Sequence, residues 1–151
     1  MIPAGAGRYK IGVRAKTAVF IANSRRADGL SSSVRLGLRR ARCCAGVLLL
    51  PVDLPELMPN DIASLIARWR GARRRVVARR VGDAPGVPLI LPRWLYPCAS
   101  GIEGDRGLRD VVRGLPKEAV SLVALRSAEL DVDTPRDLER ARRRVRPTPD
   151  P

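Results

Sequence analysis

Apolar and polar residues follow one another in blocks along the chain. Residues 17–22 (TAVFIA) are rich in β-branched and aromatic side chains and predict a strand. Residues 23–31 are polar with one glycine and predict a loop. Ser31 or Ser32 can cap the helix that follows, whose apolar face is Val34, Leu38 and Ala41. Residues 45–52 form an apolar run that predicts the central strand. PELMPND is a loop with Asn60 as N-cap, and residues 61–70 repeat Ile62, Leu65, Ile66 and Trp69 as one helical stripe. Residues 75–80 predict a short strand and 81–86 a turn. Residues 87–91 predict another strand, placed by Pro88 at an edge or a strand start. Trp94, Leu95 and Tyr96 begin a short helix, GIEGDRG is a loop, 108–115 a helix and 119–125 a strand. DVDTP is a turn in which Thr134 caps the last helix and Pro135 takes its first position. That helix runs to about Val145, and RPTPDP is expected to be disordered. Strands alternating with helices predict an α/β protein with a mostly parallel sheet covered on both faces. No internal repeat or long linker divides the chain.

One polar residue breaks the pattern in an informative place. In LLLPVDLP (residues 48–55) an apolar run ends in Asp53, with Pro51 and Pro55 two residues away on either side. An ionised carboxylate at the end of a buried strand needs a cation or hydrogen-bond donors to face. In open α/β sheets, ligands bind outside the carboxyl ends of the strands. The segment points either to a strand delivering a carboxylate to a metal or substrate, or to a strand followed by a plain polar turn.

Composition narrows the partners. At 151 residues the chain can bury one sizeable core, and with 3% aromatics that core is aliphatic. No apolar stretch approaches the ~18 residues of a membrane span. MIPAGAGRYK lacks the apolar core of a signal peptide, so the expected compartment is the cytoplasm. The formal charge is +14, from 29 Lys plus Arg against 15 Asp plus Glu, and Lys occurs only at 10, 16 and 117. Such a balance suits nucleic acid or a polyanionic small ligand such as a nucleoside triphosphate. The arginines are spread along the chain and concentrate on helix faces (Arg39, Arg40, Arg42; Arg142 to Arg144). Aromatic platforms for single strands are nearly absent. A non-catalytic basic module binding nucleic acid is therefore the second reading. There is no histidine, which excludes His-based triads and His metal ligands. Cys43, Cys44 and Cys98 have neither zinc spacing nor a disulfide framework, and read as small apolar residues in a reducing compartment.

Four segments in order carry a further signal: NSRRADGLSSSVRLGL (23–38), LLLPVDLPELMPNDIASLI (48–66), GVPLILPRWLYP…GIEGDRGLR (86–109) and DVDTPRDLERA (131–141). In order, spacing and content they resemble the MobA-like nucleotidyltransferases, above all the molybdenum cofactor cytidylyltransferases, over about residues 17–145. The resemblance implies a three-layer Rossmann-like sheet of the glycosyltransferase-A type. It implies Mg²⁺-dependent transfer of a nucleoside monophosphate from an NTP, CTP before GTP, to a phosphorylated acceptor such as molybdopterin. Pyrophosphate would be released. It makes Asp53 the catalytic, metal-binding aspartate and Asp133 the second acidic position, with Asp131 as the alternative. It places Asn23, Gly29, Ser32 and Ser33 at the nucleotide, and Asp105 and Arg109 at the border of the acceptor pocket. The residue chemistry agrees: such transfer needs charge neutralisation and positioning more than acid–base groups, and Mg²⁺ takes one or two carboxylates plus phosphates. Each assignment has a plainer alternative. Asp133 can orient the turn, Ser32 and Ser33 can cap their helix, and Asp105 with Arg109 can be an ordinary i, i+4 pair.

One part of the family pattern is not matched. The family begins with a strand and a loop of the form LAAGxSxRxGxxK that holds the triphosphate. AGAGRYKIGVRAK (residues 4–16) shares glycines, an arginine and a lysine with it, but no apolar strand precedes it, and Arg8, Gly12 and Lys16 are too widely spaced. The expectation is that residues 5–23 match the region just before Asn23, so that the chain starts inside the domain, without the triphosphate loop and with little or no turnover. Residues 1–16 would be a poorly defined segment, 17–146 a partial nucleotidyltransferase domain and 147–151 a tail.

Overall fold

The structure, a computed structural model, describes residues 2–3, 19–102, 108–125, 127 and 132–144. In chain order its elements are β1 (Ile2–Pro3), β2 (Ala22–Asn23), α1 (Leu30–Arg40), β3 (Gly46–Leu49), α2 (Pro59–Gly71), β4 (Val76–Val81), β5 (Ala84–Pro92), α3 (Tyr96–Ser100), α4 (Leu108–Arg113), β6 (Val120–Val123) and α5 (Pro135–Arg144). The chain divides into two compact units, Met1–Ala45 with Arg93–Gly114 and Gly46–Pro92 with Leu115–Pro151. The loop residue Asp105, the alternative carboxylate Asp131, the glycine-rich segment 4–16 and the tail all lie outside the described residues.

In the first unit β1 pairs in parallel with β2, Ile2 opposite Ala22 and Pro3 opposite Asn23. An extended strand therefore does precede AGAGRYK, contrary to the sequence expectation. Two residues, one of them proline, are too few to show a period. The strand expected over 17–22 is confined to Ala22–Asn23 among the described residues. Helix α1 starts directly after Gly29, whose φ of 82° and ψ of −176° fall in a region that is nearly glycine-only. Ser31 and Ser32, expected as caps, instead lie inside the first turn. Their hydroxyls donate backwards to the carbonyls of Asp28 (3.4 Å) and Gly29 (2.8 Å). The apolar face holds as expected, with Leu38 buried and Val34 half-buried. Helix α3 packs against α1 and α4 and buries Tyr96 and Ala99. Tyr96 donates its hydroxyl to the Cys44 carbonyl at 3.4 Å. Burial pushes the phenol pKa up, the Cys44 thiol adds to this, and Arg93 opposes it. All three cysteines are exposed, so none acts as a small apolar core residue.

In the second unit the described strands form one sheet in the order β3-β5-β4-β6. β5 runs antiparallel to β3 and β4, while β4 and β6 are parallel. Three strands thus point one way and only β5 reverses. It is joined to β4 by a tight turn in which Gly82 takes φ 58°. β3, expected to be central, lies at an edge of this sheet and is half-buried throughout. It ends before Pro51, which has no N–H to continue a ladder. β5, expected at an edge or to start at Pro88, is internal and starts at Ala84. Val87 and Pro88 fit between the Arg79–Gly86 and Ala78–Leu89 pairs as a bulge, so the missing N–H interrupts no pair.

Helix α2 also differs in its start. Its N-cap is Met58 rather than Asn60, Pro59 opens the helix, and the Asp61 carboxylate accepts the Met58 N–H at 3.0 Å. The predicted stripe stands: Leu65 is fully buried and Ile62, Ile66 and Trp69 half-buried. Leu65 joins Leu54, Val77, Ile90 and Leu125 in the core cluster, each such aliphatic contributing about 1.5–3 kcal/mol. Trp69 fills the space over Gly46, where an added Cβ would stand 2.5 Å from the indole. Register aligns Leu49, Leu89, Ala78 and Leu122 in one row across the four strands. The carboxyl ends of β3, β4 and β6 therefore lie at one end of the sheet.

Candidate functional site

Asp53 follows β3 at that carboxyl end. The segment after β6 returns to the same place, where the Val132 N–H donates to the Asp53 carbonyl at 3.0 Å. Asp133, the next residue, is thereby carried to the Asp53 segment. Asp53 is half-buried and Asp133 exposed. Two further contacts hold the surrounding loops: Ser127 donates to the Asp61 carboxylate, and Arg144 meets Glu56 at 3.6 Å. The start of α5 is fixed by a capping box. Thr134 Oγ1 accepts the Asp137 N–H at 3.2 Å, and Asp137 accepts the Thr134 N–H at 3.1 Å and its hydroxyl at 2.7 Å. The Thr134 hydroxyl holds the Asp137 carboxyl below its ordinary pKa. Thr134 and Pro135 stand where the sequence placed them.

The donor set limits what this end can hold. Among the described residues no group of three or more His, Cys, Asp or Glu is arranged around a metal position. The carboxylates of Asp53 and Asp133 are both hard oxygen donors. They fit a hard divalent ion that completes its shell with waters and phosphate oxygens, and they do not fit a closed protein cage.

The other predicted residues lie in the first unit. Asn23 is buried at 6% exposure, and every polar atom of its side chain is engaged. Its amide nitrogen donates to Ser32 Oγ (2.8 Å) and Ser33 Oγ (2.9 Å), and its oxygen accepts the Arg25 N–H (3.0 Å). Asn23 thus buckles the end of β2 to the first turn of α1. A cleft of about 860 Å³ opens here, lined by Asn23, Arg25, Asp28, Ser32, Arg35 and Arg39 among others. Gly29 and Ser33 are not in its lining: the first supplies the turn and the second anchors Asn23. Arg35 is held by the Ile102 carbonyl at 2.6 Å. Arg109 is exposed on α4. Asp28, Arg25, Arg35 and Arg39 were missed in the sequence. The available signal was the helical spacing of Ser32, Arg35 and Arg39, a polar stripe on α1 opposite its apolar face.

Among the described residues no helix is long and apolar enough to cross a membrane.

Three comparisons bear on this arrangement. Residues 5–120 match the family model of the MobA-like NTP transferase domain; the match contains Asn23, Gly29, Ser32, Ser33, Asp53 and Arg109 and stops short of Asp133. The chain is 30% identical over 121 residues to a probable molybdenum cofactor guanylyltransferase of Rhodopirellula baltica, covering 77% of this chain and 57% of that protein. It is 32% identical over 121 residues to the phosphoenolpyruvate guanylyltransferase of Conexibacter woesei, covering 76% of this chain and 49% of that protein. The chain thus spans about half the length of the curated relatives it matches. Among solved structures it resembles Rv0371c of Mycobacterium tuberculosis in complex with manganese, with TM-score 0.71 and 23% identity over 93% of this chain and 74% of that one. A homolog of Rv0371c from Mycobacterium sp. strain JC1 superposes with TM-score 0.70 and 23% identity over 95% of this chain and 74% of that one. These likenesses show the fold, which is mixed α/β and Rossmann-like. With most of its length matched by the family model, the chain belongs to the MobA-like NTP transferase domain family.

Proposed function

We propose that the protein is a nucleotidyltransferase that moves a nucleoside monophosphate from an NTP to a phosphorylated acceptor such as a molybdopterin, releasing pyrophosphate. The observation that carries this reading is the Val132 N–H to Asp53 carbonyl bond, which brings Val132 and Asp133 to the aspartate beyond β3. Asp53 and Asp133 would hold one divalent cation, Mg²⁺ in the first instance. That ion would neutralise charge on the phosphates during transfer. The manganese complex of the fold neighbour agrees with a divalent ion. Both curated relatives are named guanylyltransferases, so GTP stands ahead of CTP, although the sequence resemblance favoured CTP.

The residues of this chain then have separate tasks. Asn23 fixes the junction of β2 and α1 and holds Ser32 at the cleft. Arg25, Arg35 and Arg39 give that cleft a positive field for a polyanion. Gly29 lets α1 begin close to it. The strand Ile2–Pro3 directly before AGAGR supports assigning that segment to the triphosphate, in place of the expected missing loop. Arg109 is left as a residue for the acceptor side.

Isothermal titration with GTP and with CTP, each with Mg²⁺, tests the reading. Binding should need the metal and be lost in Asp53→Ala, and pyrophosphate release should follow the preferred nucleotide. Metal-independent binding that survives Asp53→Ala would overturn it.

A further inference from the structure

Between Asp61 and Asp83 the chain has no acidic residue and seven arginines, half of its formal net charge of +14. Five of them, Arg68, Arg70, Arg73, Arg74 and Arg75, are exposed at the end of α2 and in the turn into β4. This cluster lies at the wrong end of the sheet to serve the carboxylate site. Arg75 immediately precedes Val76, three residues before the row that contains Ala78 and Leu49, whereas Asp53 lies beyond Leu49 on the far side of that row. At ~3.3 Å per residue the cluster and Asp53 are separated by much of the strand length. Phosphates held at Asp53 therefore do not account for it.

The cluster is also partly ordered. The Arg73 guanidinium stacks 5.8 Å from the centre of the Trp69 ring, and Trp69 is itself wedged over Gly46. Arg68 and Arg70 sit in the last turn of α2, where the helix dipole favours cations. All five exposed side chains carry the same sign, and no acidic residue stands in the segment between Asp61 and Asp83. An anionic partner would complement that charge.

We propose that this arginine knob docks an acidic segment of a partner protein. Guanidinium forks match carboxylates in paired hydrogen bonds. Nucleic acid fits less well: the one aromatic side chain there, Trp69, lies half-buried under Arg73 and has no face left for a base. The patch is one helix end and one turn, not a track along which a backbone could run. The proposal goes beyond nucleotidyl transfer and does not depend on it.

The test is fluorescence anisotropy of a labelled ten-residue poly-glutamate peptide titrated with the full chain at fixed salt, with a 20-base-pair DNA duplex as competing probe. Three chains are compared: the natural one, Arg73→Gln/Arg74→Gln/Arg75→Gln, and Arg113→Gln/Arg136→Gln/Arg143→Gln, which loses the same charge elsewhere. The knob variant should bind the peptide at least tenfold more weakly and the control variant less than twofold. Equal losses in both variants would show a general charge effect and overturn the proposal, as would tighter binding of the duplex than of the peptide. Hydrogen exchange of residues 68–75 in the natural chain is a second readout independent of variant folding. Peptide-induced protection confined to that stretch is expected, and its absence would also overturn the proposal.

Discussion

The cleft beside Asn23 and the carboxylate end of the β3–β6 sheet are built in different ways. The cleft rests on side chains: one buried asparagine makes three hydrogen bonds that join strand, turn and helix. The carboxylate end rests on backbone: β3 and β6 are placed by the sheet, and a main-chain bond brings Val132 to Asp53. The cleft should therefore collapse when one side chain is changed. The carboxylates should be removable with the scaffold intact.

Asn23→Ala is the strongest way to break this comparison. Three hydrogen bonds at about 1 kcal/mol each vanish and buried partners lose theirs, so a loss of about 2–3 kcal/mol is expected in urea unfolding. Nucleotide affinity should fall with it. Gly29→Ala forces a β-carbon into a backbone region that is nearly glycine-only and should destabilise by about 1–3 kcal/mol. Its signature is a displaced start of α1, seen as lost amide protection at Ser31 to Ser33.

Smaller effects belong to the carboxylate end. Thr134→Ala removes the cap of α5 and should lower stability by about 1 kcal/mol in thermal melts, while loosening the DVDTP turn enough to weaken metal binding. The same cap has a pH signature. The folded Asp137 carboxyl titrates below its ordinary 3.8, chiefly because of the Thr134 hydroxyl. Its contribution is present above 3.8 and is lost as pH falls through the lower folded value. The stability gap between the natural chain and Thr134→Ala should accordingly narrow as pH is lowered below 3.8 and stay flat at neutral pH.

The two regions also differed in how well they could be read beforehand. Asp53 stood out because an isolated charge ends an apolar run, and Thr134-Pro135 because capping chemistry is local. The α2 stripe was visible because its period survives in the folded helix. What failed was mostly non-local. Pro88 marks an edge only if no bulge absorbs it, and the bulge is a property of the pairing with β4. The central position expected for β3 took no account of the β4–β5 hairpin, which sets β5 between β3 and β4. Ser31 and Ser32 looked like caps because serine usually caps. Gly29 instead turns the chain two residues before Ser31 and leaves their hydroxyls to bond backwards. The arginine lining of the cleft was hidden in a chain where arginine is everywhere.

The most direct test of the account is a Mn²⁺ titration followed by electron paramagnetic resonance, in the presence of GTP, on the natural chain, Asp53→Asn and Asp133→Asn. Both variants should melt like the natural chain, and each should lose at least tenfold in Mn²⁺ affinity, about 1.4 kcal/mol. Undiminished affinity in Asp53→Asn, with the fold intact, would contradict the assignment of this end of the sheet as the metal site.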